Sequence, residues 1–201
     1  MRVALIDDDE AVLDSLKLYL EHKGLDVSCF ANASVFIASE QNVGSFDCVV
    51  ADVRMPGMSG LDLVRHVVAA SVPIVLITGH GDVDMAVSAI KLGAFDFIEK
   101  PFEESRLLAS IQRAAERSEH QQTKDAEVAE LQARADKLTG RQREVMDLAA
   151  AGLSNKEIGA RLGISGRTVE IHRSWMMEKM GARNLAELVR MAMQIKSDRQ
   201  P

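Results

Sequence analysis

The chain has only two cysteines, Cys29 and Cys48, and no spacing of cysteines that would make a disulfide framework. Both fall in stretches that read as strands, where they are expected to be small core residues with free thiols, as in a reducing compartment. No stretch approaches the ~18 consecutive apolar residues that argue for a membrane span. The N-terminus offers one arginine and four apolar residues before an acidic run, too short for a secretory signal. No internal repeat is found. These absences point to a soluble, cytoplasmic protein with no membrane partner.

What is there is 201 residues with a net charge of −6, unevenly spread. Residues 1–120 carry 10 Lys and Arg against 19 Asp and Glu, a net −9. Residues 121–137 carry 3 against 4, and residues 138–201 carry 11 against 7, a net +4. An acidic front and a basic back suggest two modules, the second facing something anionic. The expected division is a first domain over 1–120, a linker over 121–137 and a second domain over 138–201.

Short apolar runs alternate with helical patterns through the first domain. Val3–Ile6, Val27–Phe30, Cys48–Ala51, Ile74–Thr78 and Phe95–Glu99 read as strands. Helical patterns lie between them, and a fifth helix starts near Glu103. An unbroken apolar run such as Cys48–Ala51 suits a strand buried on both faces, hence a parallel sheet. The alternation predicts an α/β fold, a doubly wound five-stranded parallel sheet of order 2-1-3-4-5.

In such sheets, chemistry gathers at the carboxyl ends of the strands. Strand 1 ends at Asp7-Asp8-Asp9, strand 3 at Asp52, strand 4 at Thr78 and strand 5 at Lys100. These groups should share one rim, with Asp52 open to solvent. Taken singly, Asp52 reads as a turn or cap residue, the acidic run as a solvated helix N-terminus, and Lys100 as a solvated cation. Four polar groups closing four strand ends of one sheet favour a site instead. Carboxylates crowded at one rim repel one another unless a cation sits between them. Asp7, Asp8 and Asp52 offer the hard oxygen ligands that Mg²⁺ (or Mn²⁺) takes. A carboxylate is also a nucleophile toward phosphorus, giving an aspartyl phosphate, whose charge a metal would neutralise. Lys100 and Thr78 would bind the phosphoryl oxygens.

Residues 113–137 are polar and free of proline, and the fifth helix is expected to continue into them. Val128, Leu131, Ala135 and Leu138 form a narrow apolar seam, suited either to a short two-stranded coiled coil or to a lone solvated helix. Beyond it the pattern is all helical. Thr139, Ser154 and Ser165 are candidate N-caps, Ser154 with Glu157 three residues later. Two short helices around Gly163-Ile164-Ser165 make a helix-turn-helix candidate. The second of them would enter the major groove. Val169, Trp175 and Met176 are expected to face inward, and Arg167, Glu170, Ile171 and Ser174 outward. Arg167, Arg173, Lys156 and Lys179 are candidates for phosphate contacts, and Thr168 is a further candidate DNA contact. Glu170 could accept from cytosine and Ile171 touch a thymine methyl. A solvated basic face explains the same Arg and Lys residues equally well from the pattern alone.

The motifs also carry a resemblance. Ile6-Asp7-Asp8-Asp9, Asp52-Val53-Arg54-Met55-Pro56-Gly57, Thr78-Gly79-His80 and Lys100-Pro101-Phe102 resemble a response-regulator receiver domain over residues 1 to about 120. The resemblance implies Asp52 as phosphoacceptor, with Asp7, Asp8 and the Arg54 backbone carbonyl near Mg²⁺. It implies Thr78 and Lys100 as the switch pair, Phe97 as a rotating aromatic, and a cis Lys100–Pro101 bond. Leu138-Thr139-Gly140-Arg141-Gln142-Arg143-Glu144-Val145, Gly152–Gly159 and Thr168-Val169-Glu170-Ile171-His172 are similar to the LuxR/NarL-type DNA-binding domain. Gly140 departs from that family's usual polar residue, which would loosen the first helix. Together the two halves are most similar to the FixJ subgroup of regulators. That implies a sensor histidine kinase as partner, a double-stranded DNA operator, a homodimer when phosphorylated, and a transcriptional output, usually activation.

Phosphorylation at Asp52 would be relayed through the Gly79-His80-Gly81 loop to the fourth helix. There Val83, Ala86, Val87 and Ile90 are expected to be mostly core, with some able to face a partner. The protein is then not an enzyme beyond its own phosphoryl transfer and slow dephosphorylation. Other readings remain. In one, Asp7-x-Asp9 serves a haloacid-dehalogenase-type phosphatase, although Ala11 stands where that family has Thr or Val. In another, the receiver is a phosphate sink or interaction module whose tail does not read DNA. In a third, DNA binding is independent of phosphorylation.

Overall fold

Alternating strands and helices open the chain: β1 (Arg2–Ile6), α1 (Glu10–His22), β2 (Asp26–Phe30), α2 (Ala33–Ala38), β3 (Cys48–Asp52), α3 (Gly60–Ala69), β4 (Ile74–Thr78), α4 (Val83–Leu92) and β5 (Asp96–Glu99). Then come α5 (Glu104–Ala135), α6 (Gly140–Ala150), α7 (Asn155–Leu162), α8 (Gly166–Met180) and α9 (Leu185–Ser197). The structure, a computed structural model, describes residues 1–39, 42–79 and 83–197, with the side chains of Val83, Lys196 and Ser197 excepted. His80 and Gly81, read from the sequence as part of a relay loop, lie outside the described residues. The chain divides into two compact units, Met1–Gln121 and Gln122–Pro201.

In the first unit the five strands form one parallel sheet in the order β2-β1-β3-β4-β5. The period-2 alternation of side chains sends β-strand residues to opposite faces. Ala4, Ile6, Val49, Ala51, Ile74 and Leu76 pack on one face with Phe36, Leu63, Val64, Val67 and Ala89 from α2, α3 and α4. Val3, Leu5, Cys48, Val50, Val75 and Ile77 pack on the other with Leu13, Leu16, Leu20, Leu107 and Ile111 from α1 and α5. All five residues of β3 and of β4 are buried, as two covered faces require. β2 is an edge strand in which only Val27 and Phe30 are buried, and this overturns one expectation: Cys48 is buried, but Cys29 is exposed.

α4 also departs from expectation. Its core contact is Ala89, with Met85 packed alongside, whereas Val87 and Ile90 are exposed and Ala86 is half-buried. Positions 85 and 89 are four apart and share one face of the helix, and Val87 falls on the opposite side.

The second unit packs α6, α7, α8 and α9 around Val145, Met146, Ile158, Val169, Met176, Met180, Leu188 and Ala192. Ala135 and Leu138 are buried in this core and Leu131 packs against it. This part of the apolar seam is therefore satisfied within the chain rather than by a second helix. Thr139 and Ser154 close capping boxes with Gln142 and Glu157, and Ser165 caps α8. Gly140 sits at the first position of α6, inside a completed capping box, where the cost of glycine to a helix interior does not apply. Trp175, expected to face inward, is 51% exposed. It stands about 100° around the helix from Met176, which is fully buried. Among the described residues no helix is long and apolar enough to cross a membrane.

Candidate functional site

Register brings the strand ends together. Ile6 pairs with Ala51, Asp52 with Ile77, and Thr78 with Glu99. The next residues of β1 and β5, Asp7 and Lys100, therefore arrive at the same rim as Asp52 and Thr78. The Lys100–Pro101 peptide is cis, and the Lys100 N–H donates to the Thr78 carbonyl at 2.7 Å.

Lys100 Nζ donates to Asp52 Oδ1 at 2.9 Å and to Asp7 Oδ2 at 3.0 Å. The other Asp52 oxygen, Oδ2, accepts the Arg54 N–H at 2.6 Å. Asp7 Oδ1 accepts the Asp9 N–H at 2.9 Å. Two carboxylates thus converge on one ammonium. Asp52 is only 8% exposed and Asp7 6%, so Asp52 is more enclosed than the expected open rim position. Buried charges persist when they are paired and hydrogen-bonded, and these are. Burial by itself would lower the Lys100 pKa. The hydrogen bonds it donates to Asp52 and Asp7, reinforced by their charges, outweigh burial and raise the pKa.

Asp8 is exposed beside this pair. Asp9 caps α1 instead, its Oδ1 accepting the N–H groups of Ala11 and Val12. A phosphatase reading that needs Asp9 as a second catalytic carboxylate loses its residue to that cap. Thr78 is fully buried at the end of β4, and Phe97 is partly buried against the first core. Among the described residues no three acidic, histidine or cysteine side chains form a ready metal cage. Mg²⁺ needs none, because one or two carboxylates with waters and phosphate oxygens complete its octahedron. Asp7 and Asp52, already converged on one cation, fit that donor set.

A second cluster lies on α8. Arg167, Glu170, Ile171 and Ser174 are exposed on one face of the helix, and Lys156 is exposed near the start of α7. Four expected DNA contacts have partners inside the protein, among them Glu170, whose Oε1 accepts from Asn155 Nδ2 at 3.5 Å. Arg173 Nη1 donates to Asn155 Oδ1. The Thr168 N–H donates to Ser165 Oγ, with the two hydroxyls 2.7 Å apart. Lys179 Nζ donates to the Lys137 carbonyl and to Gln142 Oε1, both at 3.0 Å.

Some contacts had no clear sequence signal. Ser110 Oγ and Arg113 Nη2 donate to Asp96 Oδ2 at 2.7 and 3.3 Å, tying β5 to α5. Arg134 Nη1 donates to the Met180 carbonyl at 3.1 Å. Gln142 stands three residues after the Thr139 cap, but no local pattern marks its bond to Lys179.

Residues 3–112 match the family described as response regulator receiver domain, and residues 136–192 that described as bacterial regulatory proteins, luxR family. The chain is 46% identical over 193 residues to the transcriptional regulatory protein FixJ of Bradyrhizobium diazoefficiens, covering 95% of this chain and 94% of that one. It is 40% identical over 196 residues to the response regulator protein TodT of Pseudomonas putida, covering 96% and 86%. Among solved structures, the response regulator StyR aligns with a TM-score of 0.82 at 37% identity, covering 96% of this chain and 98% of that one. Full-length FixJ from B. japonicum aligns at 0.55 and 42%, covering 98% and 97%.

Proposed function

Because the chain belongs to the response-regulator family, as a transcriptional regulator joining a receiver domain to a LuxR-type DNA-binding domain, we propose that Asp52 is its phosphoacceptor and that phosphorylation there controls DNA binding. The observation that carries this is the Asp52 carboxylate held between the Arg54 backbone N–H and the Lys100 ammonium. The Arg54 N–H fixes Oδ2. Lys100 can swing away from Oδ1, so Oδ1 is the attacking oxygen. It bonds to phosphorus as the bond to the donor, a phosphohistidine of a sensor histidine kinase, breaks. Asp7, Asp8, Asp52 and the Arg54 carbonyl would hold Mg²⁺ (or Mn²⁺), which when bound supplies positive charge against the transferred group. Lys100 then shifts from the carboxylate to a phosphoryl oxygen, and the Thr78 hydroxyl donates to another.

The new group adds about −1.5 to −2 charge and three acceptor oxygens at the rim. Drawing Thr78 inward opens space for Phe97 and displaces α4. Val87 and Ile90, exposed on α4, would form the centre of a homodimer surface. A dimer offers two α8 helices to the two half-sites of a double-stranded operator. There Arg167, Glu170, Ile171 and Ser174 would read bases, and Lys156 would neutralise phosphate. The protein would work in the cytoplasm beside its kinase, with no catalysis beyond its own phosphoryl transfer.

The test is intact-mass measurement after treatment with acetyl phosphate and Mg²⁺. Wild type should gain one phosphoryl group and Asp52→Asn none; a covalent phosphate elsewhere on the variant overturns the assignment. Selection of duplexes from a random pool then separates a DNA-binding regulator from a phosphate sink. Phosphorylated wild type should enrich a sequence that Arg167→Ala binds more weakly.

A further inference from the structure

The recognition helix α8 ends in an unusual place: its last carbonyl is closed by another helix. At an α-helix C-terminus the final carbonyls have no partner within the helix and gather the negative end of the dipole. Here the chain leaving α8 supplies part of the answer. The N–H of Gly181 donates to the Glu178 carbonyl at 3.1 Å, and that of Ala182 to the Met177 carbonyl at 2.9 Å. The Met180 carbonyl is instead taken by Arg134 Nη1 at 3.1 Å, from the last turn of α5.

The guanidinium is oriented for this role. Its Nη2 donates to Glu130 Oε1 at 2.6 Å, one turn earlier on α5. The residue after α8 is Gly181, at φ +71°. A Cβ there would come to 3.1 Å of Arg134 Nη1, so a side chain at that position would press on the arginine. A second bond runs the opposite way. Lys179 Nζ, also in the last turn of α8, donates to the Lys137 carbonyl just beyond α5 and to Gln142 Oε1. Between these two bonds Ala135 and Leu138 are buried in the same core as Met176 and Met180. The end of α5 and the end of α8 are thus joined by two oppositely directed charge-assisted bonds over shared apolar packing.

We propose that Arg134, with Lys179, is a positioning residue for DNA recognition: it fixes the angle of α8 by clamping that helix's C-terminal end to the end of α5. The inference rests on the DNA-binding reading above. α8 has 15 residues and so is about 22 Å long. A tilt of about 5° pivoting on the clamp moves its first turn, where Arg167 lies, by about 2 Å. Hydrogen bonds to base edges do not survive such a displacement. The clamp therefore acts on bases that neither Arg134 nor Lys179 touches. It also reassigns Lys179 from the DNA backbone to bonds within the protein.

The test uses full-length phosphorylated protein and the duplex that wild type selects from a random pool. Arg134→Met keeps the apolar stem and removes the donors. Arg134→Lys restores one donor to the Met180 carbonyl, and Lys179→Met removes the reciprocal bond. The two Met variants are expected to bind the selected duplex roughly 5- to 20-fold more weakly, to discriminate less against base changes, and to keep the wild-type slope of affinity against salt. Arg134→Lys should recover part of the loss. A residue that touches a phosphate lowers the salt slope by about 0.9 instead, so a fall of that size in either Met variant would show direct contact and overturn the clamp. So would wild-type affinity and discrimination in both. Circular dichroism melts accompany each variant. If Arg134→Met does not fold, Lys179→Met and Arg134→Lys decide the question by the same readouts. A wild-type protein that enriches no duplex at all would remove the DNA-binding reading itself, an outcome distinct from a clamp variant that binds normally.

Discussion

Lys100 Nζ lies 2.9 Å from Asp52 Oδ1, although 48 residues separate the two along the chain. The pairing exists because β3 and β5 both flank β4 and end at the same edge. Asp7, delivered by β1, shares the same ammonium. A single cation thereby holds two nearly buried carboxylates in place before any phosphoryl group arrives.

Removing that cation should cost stability at neutral pH. Lys100→Met leaves Asp7 and Asp52 facing each other at low exposure, which should lower the unfolding free energy by about 1–3 kcal/mol. The pH dependence has a definite sign. The folded-state pKa of Lys100 is raised above its ordinary 10.5, with burial opposing and the Asp52 and Asp7 bonds prevailing. Its stabilisation is therefore fully present below about pH 10.5 and fades as pH climbs through the higher folded value. Urea unfolding between pH 7 and 11 should show the alkaline decline in wild type and a weaker one in the variant. Equal stability of the two proteins at pH 7 would reject the role given to Lys100.

The two thiols should separate cleanly. Cys29 is exposed on edge strand β2, and Cys48 is buried in β3. Partial burial raises the Cys29 thiol pKa, eased by Lys17 and reinforced by Asp14 and Glu21. Nearly complete burial pushes Cys48 up much further, with Asp47 adding to it. A thiol reagent at pH 8 should label one cysteine per native chain, more slowly than a free thiol, and two in denaturant. Peptide mapping that finds the native label on Cys48 would contradict the burial of β3 at the centre of the sheet.

Gly159 should not accept alanine, although helix propensity alone would gain about 1 kcal/mol from the change. A Cβ at Gly159 would meet the Ile164 carbonyl oxygen at 2.7 Å, backbone that cannot rotate aside. Prying α7 from the turn into α8 outweighs the propensity gain, for a net loss of about 1–2 kcal/mol. Gly159→Ala should melt earlier in its C-terminal unit and bind the selected duplex more weakly, with phosphorylation of the receiver unchanged. A variant that melts and binds like wild type would show that the two helices do not pack this closely.

The amino-acid sequence by itself determined the elements, their order and the edge where chemistry gathers. Those follow from local facts: apolar runs at period 2 or 3.6, Ser and Thr caps, and polar residues that close each strand. It also placed Asp7, Asp52, Thr78 and Lys100 at one rim, because parallel strands joined by short connections share their carboxyl ends. Only the tertiary structure decided what lies against each face. Periodicity shows which residues share a side of an element but not what covers that side. So Cys29 proved exposed on an edge strand, Val87 and Ile90 stand outside the core, and Trp175 faces outward. The same limit hid the partners of long side chains. Where Lys179 and Arg134 end depends on packing between helices more than 40 residues apart, and no local spacing encodes that distance.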